Sequence, residues 1–78
     1  MEIKVIGTGC DKCDRLYGNT QEALRNLGME ATVEKVEDLV EIVKLGVMTS
    51  PSLMVDGKLL IRGREAKTRE IEKLLSRA

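Results

Sequence analysis

The sequence predicts an α/β fold: a four-stranded mixed sheet flanked by three helices, in the order β-α-β-α-β-β-α. Three observations lead there. Apolar residues recur with the two-residue period of strands in some stretches and the helical period of about 3.6 in others, and the two alternate along the chain. Glycines close the helical stretches at Gly28 and Gly46. Asp56-Gly57 lies between two apolar runs, which is the signature of a two-residue hairpin.

The elements follow in order. Residues 2–6 alternate and then run apolar up to Gly7, as a central strand does. Residues 11–27 place Cys13, Leu16, Tyr17, Thr20, Ala23, Leu24 and Leu27 on one helical stripe, with Gly28 as the C-terminal cap. Gly18 lies inside this helix, where glycine costs about 1 kcal/mol relative to alanine. Close packing beside the cysteines is one role that would justify it; the other reading is that it has none. Residues 30–36 are β-branched and alternating, a second strand. Glu37-Asp38 offers an N-cap to a short helix of Leu39, Val40, Ile42, Val43 and Leu45, apolar on more than one side and closed by Gly46. Ser52 to Val55 reads as a buried strand, and Lys58 to Arg62 returns from the hairpin and stops at Gly63. A last helix starts near Thr68, its expected N-cap, with Ile71, Leu74 and Leu75 on one face. Strands separated by helices predict parallel pairing through right-handed crossovers, and the hairpin adds an antiparallel edge. No repeat, linker or low-complexity tract divides the chain, so residues 1–78 are expected to form one domain.

Composition excludes several function classes. Thirteen basic and thirteen acidic residues cancel, and Tyr17 is the single aromatic, so neither the charge nor the stacking surface for nucleic acid is expected. A 42% hydrophobic content argues against disorder, and the core must be aliphatic. No apolar run approaches membrane-spanning length. Met1-Glu2-Ile3-Lys4 lacks the pattern of a secretory leader, which makes the cytoplasm the expected compartment. There a permanent disulfide is disfavoured and a cycling one is not.

The chemistry concentrates in Gly7-Thr8-Gly9-Cys10-Asp11-Lys12-Cys13, which holds both cysteines of the chain at a strand-to-helix junction. Helix N-termini carry unsatisfied N–H groups and the positive end of the macrodipole, and both favour a thiolate. Cys10 is thus expected to ionise more easily than a free thiol, and Cys13, in the first turn, to point toward the sheet. From there Cys13 would attack a mixed disulfide at Cys10 and release the partner. Lys12 and Arg15 favour the Cys10 thiolate while Asp11 and Asp14 oppose it, so the helix terminus is the main influence and the expected lowering is moderate. A reductant or exchange catalyst is expected, not a strong oxidant. The residues alone leave three other readings open: half of a zinc site, an inert disulfide, or two buried thiols. The chain has no histidine and no third cysteine, so zinc would need a dimer sharing four sulfurs, or carboxylates.

Two motifs carry a resemblance. Gly7 to Cys13 reads G-x-G-C-x-x-C, and Thr49 to Gly57 reads T-x-P-x-[LVI]-x-[VI]-[DN]-G. With this order of elements, the chain resembles the small prokaryotic thioredoxin-like and glutaredoxin-like redox-active disulfide proteins over its whole length. The resemblance implies the minimal thioredoxin-like fold, with Cys10 the exposed nucleophile and Cys13 the resolving thiol. It also implies a cis Pro51 facing them, where pattern alone favours a trans proline opening an edge strand. Ser50 and Pro51 would then present backbone to an extended substrate segment. There are departures. Gly9 replaces the tryptophan usual in thioredoxins, Asp11-Lys12 replaces Gly-Pro, and no acidic residue in Ile3–Ile6 matches their buried aspartate. Arg62-Gly63-Arg64-Glu65 stands where glutaredoxins hold glutathione, with one glycine and mostly basic neighbours, which puts that ligand in question.

The resulting expectation is a monomeric thiol–disulfide oxidoreductase without cofactor or metal, acting on protein disulfides and regenerated by an upstream thiol reductase. The rival from another class is a metal-binding or redox-sensing module using the same cysteines without turnover. Met48 and Met54 are expected to pack. Val47 and Met48 are expected as an apolar rim for a protein substrate, and Tyr17 as a core aromatic with its hydroxyl at the surface.

Overall fold

Strand alternation decides the layering. The computed structural model describes residues 2–7, 11–47 and 50–77. It contains β1 (Glu2–Ile6), α1 (Asp11–Leu27), β2 (Thr32–Val36), α2 (Leu39–Lys44), β3 (Ser52–Val55), β4 (Lys58–Ile61) and α3 (Thr68–Arg77). The strands form one mixed sheet in the order β2-β1-β3-β4. Successive side chains of β1 point to opposite faces. Ile3 and Val5 join Leu53, Val55 and Ile61 under α1 and α3, which contribute Leu16, Ala23, Leu24, Ile71 and Leu75. Ile6 points the other way and packs with Val36, Val47 and Met54 beneath Ile42 and Leu45 of the α2 side. The result is three layers, with a large core on one face of the sheet and a small one on the other.

The strand directions bear out one expected crossover and correct the other. β1 and β2 are parallel, with Glu2 opposite Thr32 and Ile6 opposite Val36. β3 runs antiparallel to β1, with Ile6 opposite Ser52 and Ile3 opposite Val55. The reason is the length of α2. Its six residues advance about 9 Å, short of the roughly 16 Å of a five-residue strand. The chain does not return to the start of the sheet, and β3 begins at the end where β1 finishes.

Local chemistry explains the element ends. Asp38 caps α2, its carboxylate accepting from the Val40 N–H at 2.9 Å. Gly28 adopts φ +65° after α1, and the Gly28 and Met29 N–H groups bond back to the Arg25 and Leu24 carbonyls. Asp56 and Gly57 both have positive φ, the two-residue turn expected between β3 and β4. At α3 the Ile71 N–H bonds to the Lys67 carbonyl, so Lys67 holds the capping position and Thr68 is the first helical residue. The β3–β4 ladder shifts register between Leu53 and Met54. Leu39, Val40 and Val43 of α2 face solvent, the second apolar side expected of that helix.

Gly18 does not pack against Cys13. It lies on the outer side of α1, and a Cβ there would meet open space. Gly57, at φ +83°, is the opposite case. We predict that Gly18→Ala raises stability by about 0.5–1 kcal/mol through helix propensity. Gly57→Ala should lower it by about 1–2 kcal/mol through left-handed strain. Urea midpoints moving in opposite directions would check both.

Candidate functional site

Three segments meet at the sulfur of Cys13. Cys13 is the third residue of α1, on the stripe that continues through Leu16, Thr20, Ala23 and Leu24, and it is 1% exposed. Gly7 ends β1 and is held from the β2 side, its N–H donating to the Val36 carbonyl at 2.9 Å. The antiparallel entry of β3 brings Ser50 to the same place, with Ser50 Oγ 3.7 Å from Cys13 Sγ. The Ser50–Pro51 peptide bond is cis, as the resemblance implies. Pro51 is buried and Ser50 exposed.

The approach at this point is close enough to dictate a residue type. A Cβ added at Gly7 would overlap Cys13 Sγ and lie 2.7 Å from Ser50 Oγ. Gly7 is needed here for space, since its φ is not positive. In the sequence it reads only as the end of a strand and the start of a motif. The G-x-G spacing was the available signal.

The loop between β4 and α3 frames the other side. The Arg64 N–H donates to the Pro51 carbonyl at 3.1 Å. Asn19 of α1 donates from Nδ2 to the Ala66 carbonyl at 2.8 Å, and Arg15 pairs with Glu65. Arg64 itself grips Glu70 of α3 with two guanidinium nitrogens. The carboxylate this arginine attracts is thus one of the chain's own. Arg64 holds the Glu70 carboxyl below the ordinary carboxylate range, chiefly through these hydrogen bonds. The Arg64 guanidinium is correspondingly raised by Glu70.

Two charges at the start of α1, Asp14 and Arg15, are engaged in pairs. Arg15 is taken by Glu65 and Asp14 by Lys35 of β2, which also lies 3.5 Å from Glu37. The Asp14 hydrogen bond is the main cause of a raised Lys35 pKa. Lys35 Nζ also sits 5.6 Å from the centre of the Tyr17 ring. Tyr17 packs on the core, and its hydroxyl accepts from Gln21 at 3.2 Å in an exposed position, as expected.

One expectation on the rim changes. Val47 is 4% exposed and belongs to the small core under α2, so it offers no surface to a substrate. Met54 packs in that core as expected. Cys10, Met48 and Thr49 lie outside the described residues. Among the described residues no three His, Cys, Asp or Glu side chains gather to hold a metal ion, and no helix is long and apolar enough to cross a membrane.

Comparison with known proteins adds the lineage. A family model described as a thioredoxin domain matches residues 1–76. The chain belongs to the thioredoxin family. A thioredoxin of Methanothermobacter thermautotrophicus is 43% identical over 76 residues, covering 97% of this chain and 99% of the relative. A thioredoxin of Methanocaldococcus jannaschii is 34% identical over 73 residues, 94% of this chain and 84% of the relative. The protein is a thiol–disulfide oxidoreductase of this family. Within the thioredoxin-like sheet, Gly7, Cys13, Ser50 and Pro51 are brought together at one end.

Two predictions follow from the geometry. Gly7→Ala must displace Cys13 or Ser50. It should destabilise the protein by about 1–3 kcal/mol, as overpacking does, and abolish most disulfide exchange, read by urea unfolding and turnover. The Arg64–Glu70 pair lowers the Glu70 pKa in the folded state, so its stabilisation is present above the ordinary carboxylate range and is lost as pH falls through the folded value. Glu70→Gln should therefore be slightly less stable than the parent at neutral pH. The two melting temperatures should converge as the pH is brought down through the carboxylate range.

Proposed function

We propose that the protein exchanges disulfides of protein substrates through Cys10 and Cys13. Cys10 attacks the substrate disulfide, and Cys13 then displaces the substrate and closes an intramolecular disulfide. Ser50 and Pro51 take the substrate as an extended backbone segment. The observation that carries the reading is the seating of Cys13, buried in the first turn of α1 and touching the residue before the cis proline. A thiol so placed is shielded from bulky substrates yet only three residues from Cys10 in the chain, as a resolving group must be. Pro51's carbonyl is already engaged by Arg64, while Ser50 is exposed, so Ser50 is the residue with backbone to offer a partner. A thiol reductase restores the dithiol, and the cytoplasm is the compartment in which such a pair would cycle. The protein works as a single-domain monomer.

The test is a redox equilibrium followed by alkylation and intact mass. A reversible two-electron transition near or below about −200 mV is expected. Cys13→Ser should accumulate a mixed disulfide with a protein substrate, and Cys10→Ser should form none. Two thiols that never pair, or metal retained after purification without chelator, would replace this reading with the metal-binding or sensing module.

A further inference from the structure

The contact between Ser50 and Cys13 joins two side chains of different chemistry. Ser50 Oγ lies 3.7 Å from Cys13 Sγ in a partly buried position, and either atom can donate. A serine hydroxyl has one proton and two lone pairs and can rotate to serve either role. Against a thiol it can donate or accept. Against a thiolate, which has no proton, it can only donate. The contact therefore persists through ionisation of Cys13 and becomes charge-assisted when the thiolate forms.

The surroundings make that donor matter. Among the described residues the buried polar side chains are Thr20 and Ser52, and no charged side chain is buried. Thr20 gives its hydroxyl to the Leu16 carbonyl. The charged groups facing this end of the sheet are exposed and mostly taken. On α1 itself, Asp14 pairs with Lys35 and Arg15 with Glu65, while Asp11 and Lys12 are exposed. From β2 come Lys35 and Glu37, which are within ion-pair reach of each other. From the β4–α3 loop come Glu65, already paired, and Arg64, which holds Glu70. β1 and β3 contribute no titratable side chain beside the sulfur, since Lys4 faces the α2 side with Met54. A buried thiolate in such a place is disfavoured unless a dipole or hydrogen bond meets it.

We propose that the Ser50 hydroxyl stabilises the Cys13 thiolate for the resolving step. Gly7 makes the contact possible, because any side chain there would occupy the space between the two atoms. The Cys13 sulfur gives an electron pair to the Cys10 sulfur and forms the Cys10–Cys13 bond. The bond from Cys10 to the substrate sulfur breaks, and its electron pair leaves with that sulfur, which takes a proton from solvent. The dithiol is oxidised and the substrate disulfide reduced. The inference rests on the proposed cycling of Cys10 and Cys13 and assigns Ser50 a side-chain role beside its backbone one.

The experiment measures Cys13 alone, in a Cys10→Ser background, by the pH dependence of its thiolate absorbance and alkylation. Ser50→Ala should raise the Cys13 pKa by roughly one unit, about a tenfold loss of thiolate below that pKa, as expected for one hydrogen bond to a charged group. Ser50→Thr, which keeps the hydroxyl, should restore most of the shift. With both cysteines present, Ser50→Ala should lengthen the life of the mixed disulfide about threefold, because higher nucleophilicity recovers part of the tenfold loss. An unchanged Cys13 titration in Ser50→Ala, or a shift that Ser50→Thr does not reverse, would overturn the proposal. Failure of the parent protein to cycle would instead sink the exchange mechanism, and the Cys13 titration would still report on the hydroxyl independently.

Discussion

The site depends on the close approach of Gly7, Cys13 and Ser50. The three residues come from the end of β1, the first turn of α1 and the entry to β3. They meet only because β3 enters at the end where β1 leaves, and this follows from the shortness of α2. A full-length crossover with a parallel β3 would carry Ser50 and Pro51 to the far end of the sheet. The hydrogen-bond ladder between β1 and β3 thus fixes the separation of a thiol and a hydroxyl that are 37 residues apart.

The two cores divide the labour. The larger one, under α1 and α3, fixes the helix that carries Cys13. Its aliphatic side chains bury enough surface to stabilise a small domain without aromatic bulk. The smaller core, under α2, seats Val47 and Met54, which lie on either side of Ser50 and Pro51 in the chain. Between them the β4–α3 loop is tied at several points, to Pro51 through a backbone bond and to α1 through Asn19 and Arg15. The ion pairs among these ties are exposed and contribute little individually. Their value is geometric, because each links an element of the site to a helix that the core already holds.

The extent of most elements was legible in the sequence because local chemistry sets it. The helix of 11–27 follows from its apolar stripe, and its end from Gly28. The hairpin follows from Asp56-Gly57, whose positive φ angles are the conformation those residues tolerate. The sequence misleads where a residue's role depends on what lies across the fold. Gly18 and Gly7 look equally informative along the chain, yet one faces solvent and the other a sulfur atom. Val47, beside the motif, is drawn into a core rather than a rim. Arg64 meets Glu70 six residues on, a pairing set by the turn into α3.

The class of chemistry is legible from the chain alone. Two cysteines, Cys10 and Cys13, at the junction of a strand and an amphipathic helix, together with the Thr49 to Gly57 motif, define a thioredoxin-like chain. These are local patterns, and local patterns survive in one dimension. The tertiary structure alone decided the direction of β3, the need for glycine at position 7 and the meeting of the Ser50 hydroxyl with Cys13. Each is a matter of distance between segments remote in the chain. Such distances are set by how helices and strands of particular lengths pack, which no single segment encodes.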